Sequence, residues 1–249
     1  MARHFLDLDG AQTVPTEAFK LTRRAISDLF ETRAMGVVHG EAGLGKTFAV
    51  EEALNRWPDL ESLWAAFPSR PTMRLVAMTL LELLTRVPCG ERNRFYATAL
   101  LVEELAQRPR ILVIDEAQRL NRECIEYLRH LHDQPATHFA LLLVGGDGTC
   151  EVLSREPMLR SRVYRRVTFQ PLPAPHMIQA MRSYHPIYQD TTDELLLFID
   201  DNFGHGNFRN WASFTRSAQD ICRHAGRLQI DERVARNVFT LYGGGVNAC

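Results

Sequence analysis

The chain lacks any apolar run near the length of a membrane span, any C-x-x-C pair, any internal repeat and any low-complexity segment. The first absence removes transmembrane helices from the expected architecture. The opening residues Met1-Ala-Arg-His-Phe-Leu-Asp-Leu-Asp9 carry acids where a secretory leader needs a long apolar stretch. Five cysteines (Cys89, Cys124, Cys150, Cys222 and Cys249) are scattered and odd in number. No disulfide framework is expected from them, and a reducing cytoplasm fits best. His130 and His132 stand two apart on an expected helix and so point to different faces, which argues for packing or surface roles over a metal pair. A dominant charge sign is also missing, since 29 Lys and Arg against 30 Asp and Glu leave a net charge of -1. No bulk positive field marks the chain as a nucleic-acid binder, so any DNA contact must come from local arginines. The densest such cluster is Arg160, Arg162, Arg165 and Arg166. Lysine is scarce too, with only Lys20 and Lys46.

What is present suffices for one large core or two modest ones: 249 residues, 45% hydrophobic and 24% charged. One of the two lysines sits in Gly40-Glu41-Ala42-Gly43-Leu44-Gly45-Lys46-Thr47, the pattern G-x-x-x-x-G-K-[ST] of a phosphate-binding loop. It follows the apolar run Met35-Gly-Val-Val38 and precedes a helix through Phe48, Val50 and Leu54. Strand, loop and helix in that order are what the pattern requires. The glycines let backbone N–H groups converge on phosphates, Lys46 brings charge to the outer phosphates, and Thr47 offers a hydroxyl to Mg2+. The helix starting at Lys46 adds its positive dipole end. A Gly-rich turn with a solvated lysine is the competing account. ATP and Mg2+ are the expected cofactors, with Gly40 through Phe48 lining the site.

Periodicity predicts helices over 16–32, 72–86, 93–107 and 121–132, and strands over 35–38, 61–67, 110–115, 138–144 and 163–169. Continuous apolar strands alternating with helices imply an α/β fold with a parallel sheet covered on both faces, its ligands at the carboxyl ends of the strands. After Pro171 only helices are expected. The organisation read from the sequence is a nucleotide-binding α/β domain over 1–172 with an N-terminal helix, a small helical lid over 173–240, and a flexible tail over 241–249.

A second signal ends the third strand, Ile111-Leu-Val-Ile-Asp115-Glu116. Asp115 would hold Mg2+ directly or through water, and Glu116 would orient and polarise the attacking water. A helix-capping turn is the bland alternative for the pair. Phosphoryl transfer needs a further cation to neutralise developing charge. Two sets could supply it: Leu159-Arg-Ser-Arg162 before the last strand, and Gly204-His-Gly-Asn-Phe-Arg209 opening a lid helix. A cation at a helix start is mildly unfavourable, which favours a functional reason for Arg209.

Together the phosphate loop, the Ile-Asp-Glu-Ala-Gln118 strand end, the Ser-Arg pair and the Gly-x-Asn-x-Arg209 motif resemble the AAA+ ATPases, a P-loop three-layer fold, over about residues 12–225. Ile114-Asp-Glu-Ala-Gln-Arg-Leu120, the helix Leu128-Arg-His-Leu-His-Asp133 and the Leu-Val-Gly-Gly146 turn look most like DNA-transposition regulators of the MuB, TnsC and TniB type. That resemblance implies an ATPase, with slow hydrolysis expected from the departure below, that forms a homo-oligomeric ring or filament on duplex DNA without sequence preference. It implies a transposase partner, and a target-selection protein beside it. It casts Lys46, Thr47, Asp115 and Glu116 in nucleotide binding and hydrolysis, Arg162 as a finger reaching a neighbour's site, and Arg209 as the second sensor. Gly145-Gly146 departs from the family, in which a threonine or asparagine often ends the fourth strand; Asp147 or Thr149 would have to substitute. DNA contact is expected from Arg70, Arg74, Arg92 and Arg94, near the second strand and the helices after it, where a solvated face is the alternative.

Two other functions remain open. One is a replication initiator or helicase loader, against which stands the short stretch after the lid, where initiators usually append a winged-helix domain. The other is a nucleotide switch acting on a protein partner without DNA.

Overall fold

The computed structural model describes residues 8–57, 59–88, 90, 93–146, 148–149, 161–227 and 229–243. Cys89, Arg92, Asp147, Cys150, Arg160 and the tail 244–249 lie outside them. The chain forms two compact units: residues 17–42 with 46–169, and residues 8–16, 43–45 and 170–243.

The first unit runs α1 (Glu17–Thr32), β1 (Met35–Gly40), α2 (Lys46–Asn55), β2 (Ser62–Ala66), α3 (Met73–Thr85), α4 (Arg94–Gln107), β3 (Arg110–Asp115), α5 (Arg122–His132), β4 (Phe139–Gly145) and β5 (Val163–Phe169). All five strands are parallel in the order β2-β3-β4-β1-β5. The apolar runs that predict strands therefore become the three interior ones. β3 and β4 are buried at every position, as a strand covered on both faces must be. Alternation divides their side chains. Val37, Leu112, Ile114, Leu141 and Leu143 join Leu80, Leu101, Leu105 and Leu128 of the helices in one core. The intervening Val38, Leu142 and Val144 point to the opposite face, against which α1 and α2 pack. The two edge strands read differently: β5 alternates, with Tyr164, Arg166 and Thr168 exposed, a charged edge that discourages further pairing. Thr72, Asn93 and Asn121 cap α3, α4 and α5 by accepting from Leu75, Tyr96 and Cys124 N–H groups.

The second unit is helical after Pro171, with α6 (Ala174–Tyr184), α7 (Asp193–Ile199), α8 (Phe208–His224) and α9 (Glu232–Leu241). Aromatic rings fill its core. Tyr188 meets Trp211 edge-on at 5.4 Å between ring centroids, and Phe203 stacks on Phe239 at 6.1 Å. A π-helical turn, Asp200–Gly204, follows α7 directly and was not legible from periodicity. It is tied by the buried Asp200, whose Oδ1 accepts from Trp211 Nε1 and Gly206 N, each at 2.8 Å. Residues 8–16 cluster with the helices. Gln12 N–H donates to the Tyr184 carbonyl at 2.7 Å, His185 Nε2 lies 2.8 Å from the Asp9 carbonyl, and Val14 packs on the helical core.

Candidate nucleotide-binding site

The phosphate loop joins β1 to α2, so its backbone leaves a rigid central strand and enters a helix N-terminus. Gly43 and Gly45 take φ of 84° and 91°, values that side-chain-bearing residues rarely adopt. Leu44 is buried, while Glu41 and Ala42 are exposed. Phe48 stacks obliquely on Phe19 of α1 with centroids 6.4 Å apart. Lys46 is only 9% exposed, and its Nζ donates to the carbonyls of Gly40 and Glu41 at 2.7 and 2.6 Å. The ammonium is thus held inside the loop's curve, where an anion cradled by the loop N–H groups would meet it.

Asp115 ends β3, two strands from β1, with β4 between them. Thr47 Oγ1 stands 3.4 Å from Asp115 Oδ2, a long contact, and Glu116 N–H donates to Asp115 Oδ1 at 2.8 Å. Burial raises the Asp115 carboxyl above its ordinary value, and the Glu116 charge adds to this. The hydrogen bonds from Glu116 and Thr47 and the Lys46 charge oppose it. A buried carboxylate beside a hydroxyl is a hard-oxygen pair that fits Mg2+, which takes few protein ligands and fills its octahedron with water and phosphate oxygens. Among the described residues no group of three or more His, Cys, Asp and Glu could hold a metal by itself.

Glu116 adopts φ 53°, ψ 39°, a left-handed conformation costing about 1–2 kcal/mol for a residue with a side chain. Strain of this kind persists where surrounding contacts hold it and gathers at functional sites. Its Oε2 accepts from Gln118 Nε2 at 2.7 Å and lies 3.4 Å from Arg119. Gln118 belongs to the short 3-10 turn Ala117–Arg119 and carried no role in the sequence reading. The signal that could have found it was the departure at Gly145-Gly146, because Gln118 Oε1 accepts from Gly146 N–H at 2.9 Å.

The arginines divide. Arg162 forms an ion pair with Asp133 at 2.7 Å and is half exposed, and Arg165 pairs with Asp28 at 2.6 Å while lying over the Tyr164 ring. Arg209 is exposed at the first turn of α8, and its N–H donates to the Gly43 carbonyl at 3.0 Å within the second unit. Arg70 and Arg74 are exposed, whereas Arg94 rests against Met73 Sδ and the Phe95 ring. Phe95 is 75% exposed, an aromatic under the Arg94 guanidinium that the sequence reading did not single out. No helix among the described residues is long and apolar enough to cross a membrane.

Among solved structures, Cdc6p from Pyrobaculum aerophilum superposes with a TM-score of 0.75 at 18% identity, covering 95% of this chain and 70% of that one. The Aeropyrum pernix ORC1 protein in complex with DNA gives 0.70 at 18% identity, over 96% and 68%. The Thermotoga maritima RuvB Holliday junction branch migration motor gives 0.61 at 15% identity, over 90% and 68%. These likenesses establish the fold, a three-layer P-loop architecture with a five-stranded parallel sheet. No curated protein matches the chain. The family model described as an AAA domain matches residues 27–153, about half the chain and all of the strand, loop and carboxylate pair described above. The chain therefore belongs to the AAA domain family.

Proposed function

We propose that the protein binds and hydrolyses ATP and uses that cycle to control its own assembly on duplex DNA. The observation that carries the hydrolytic part is the convergence of Lys46, Thr47, Asp115 and Glu116 at the carboxyl ends of β1 and β3, with Thr47 and Asp115 3.4 Å apart. The loop N–H groups and Lys46 orient the phosphates. Glu116 takes the proton of the attacking water as its oxygen bonds to the outer phosphorus and the bond to the ADP oxygen breaks. Thr47 and Asp115 would hold Mg2+, which when bound would supply charge neutralisation and alignment of the phosphates. Arg162 acts as a finger into a neighbouring subunit's site, and Arg209 as the sensor within its own chain.

On the DNA side, support comes from the structural likeness to proteins described as complexed with DNA or as a branch migration motor, and from the exposed Arg70 and Arg74. The finer reading, a transposition regulator that presents the target to a transposase and a target-selection protein, rests on the Ile114–Leu120 resemblance. A second reading, a replication initiator or loader, is favoured by the likeness to Cdc6p and ORC1 over 95% and 96% of the chain.

The deciding experiment is fluorescence anisotropy of a random-sequence labelled duplex titrated with the protein, with ATP, with ADP and without nucleotide, at two salt concentrations. Cooperative binding only with ATP, falling steeply with salt, supports a DNA-coating ATPase. Absence of binding in every state sinks the DNA reading and leaves a protein-directed switch. Adding a transposase or a helicase to the ATP-bound complex then separates the two DNA readings.

A further inference from the structure

We propose that Gln118 is the positioning residue that holds the Glu116 carboxylate and couples it to the end of β4, in place of a polar side chain on β4 itself. Gln118 has this role only if Glu116 is the hydrolytic base, as proposed above.

Three observations converge on the Gln118 amide. Its two ends are committed to different elements: Nε2 donates to Glu116 Oε2 at 2.7 Å, and Oε1 accepts from Gly146 N–H at 2.9 Å and lies 3.4 Å from Thr149 Oγ1. A carboxylate only accepts and a backbone N–H only donates, so the amide orientation is fixed by its partners. Thr149 is 1% exposed, which shields this end of the bridge from water.

The glycine at 145 has a reason in the same geometry. A Cβ built there would lie 2.3 Å from both Gln118 Oε1 and Thr149 Oγ1. Any side chain at the end of β4 and the Gln118 bridge therefore exclude one another. The glycine that departs from the family pattern is the condition for the glutamine to reach across.

Glu116 itself is also constrained. Its left-handed backbone sets the direction of the side chain, and its second contact, Arg119, lies 3.4 Å away with both side chains nearly half exposed. Such an exposed pair fixes little. The shorter, partly buried contact to Gln118 is the one that orients the carboxylate. A displacement of the Gly146 N–H is thus carried to Glu116 through two hydrogen bonds and one planar amide.

The test uses the full chain and four substitutions. Gln118→Ala should lower kcat for ATP about 10–100-fold, the usual loss when a supporting hydrogen bond behind a catalytic group is removed. Affinity for a fluorescent ATP analogue should change by less than about twofold, because orientation of the base is not ground-state binding. Gly145→Ala should give the same loss by displacing the bridge, and the double substitution should be no worse than Gln118→Ala alone. Gln118→Glu keeps the shape but sets an acceptor against an acceptor, and should be as slow as the alanine variant. It and Gly145→Ala carry the kinetic test if Gln118→Ala fails to fold.

A readout without nucleotide accompanies the kinetics. The Gly146 backbone amide resonance should move on Glu116→Gln in the otherwise native chain, and stay in place when the same change is made in Gln118→Ala. The proposal is overturned if Gln118→Ala turns over within about twofold of wild type while Glu116→Gln is inactive. It is equally overturned if the Gly146 resonance responds alike in both backgrounds. Turnover indifferent to Glu116→Gln removes the hydrolytic reading itself, a different result from either of these.

Discussion

Asp200→Ala is expected to destabilise the protein by about 3 kcal/mol, and Asp200→Asn by no more than about 1 kcal/mol. One oxygen, Asp200 Oδ1, accepts from both the Trp211 indole and the Gly206 amide at 2.8 Å. Trp211 is 1% exposed and Gly206 is buried, so water cannot replace that acceptor without reopening the core. A buried donor left unpaired costs about 1–3 kcal/mol, so two donors give about 2–6, reduced by whatever relaxation the site allows. Asparagine retains an oxygen in the same place and therefore retains both bonds. The comparison separates the acceptor from the negative charge. Urea unfolding followed by far-UV circular dichroism gives both values, provided the slope with denaturant is unchanged between variants. A loss below about 1 kcal/mol in the alanine variant would refute the reasoning, as would an asparagine variant as unstable as the alanine one.

Lys46→Ala should fail to bind the ATP analogue and to assemble, while Glu116→Gln should bind it and accumulate as a stable assembly. Sedimentation with and without ATP checks both, and wild-type behaviour from the pair would end the case for nucleotide control. Arg162→Ala should abolish hydrolysis while shifting stability by less than about 1 kcal/mol, since its partner Asp133 forms a half-exposed pair with it; an unchanged rate would remove Arg162 from the shared site. His132 is half-buried against Phe139, and burial lowers its pKa below the ordinary value. The fold prefers its neutral form, so its contribution is full above about pH 6.5 and is lost as pH falls toward the depressed folded value. The unfolding midpoint of His132→Gln should fall less than that of wild type between neutral and mildly acid pH, and an equal fall contradicts this. Burial pushes the Cys124 thiol up to about 11, with Sγ 3.1 Å from the Pro71 carbonyl. Mass spectrometry after brief native alkylation at pH 8 should find Cys124 unmodified; rapid labelling would mean that α5 opens.

The parts of the fold that were legible were those in which one local rule decided the outcome. β3 and β4 announced themselves because a strand buried on both faces must be apolar at nearly every position. The phosphate loop announced itself because backbone convergence on an anion demands glycine at fixed offsets. The π-turn after α7 was hidden, since it depends on an acid, an indole and an amide that meet only in the folded helical unit. The contacts of residues 8–16 were hidden for a similar reason: the hydrogen bonds from Gln12 and to Asp9 leave no periodic trace. Within the site, Gly145-Gly146 stood out as a departure, but its cause was a side chain 27 positions before it, brought there by the pairing of β3 with β4.

The order β2-β3-β4-β1-β5 also governs how the molecule comes into being. β1 leaves the ribosome before both of its neighbours, β4 and β5, whose paired residues arrive more than a hundred positions later. Until then Val37 and Val38 lie on an open edge that any extended apolar chain could extend. Pairings this distant in sequence make folding slow, because long loops must close before the sheet rewards them. The strand that launches the phosphate loop is thus made before its partners and is among the last of the sheet's strands to be secured. A chain ended before β4 would leave β1 without either neighbour, an aggregation template rather than a smaller domain.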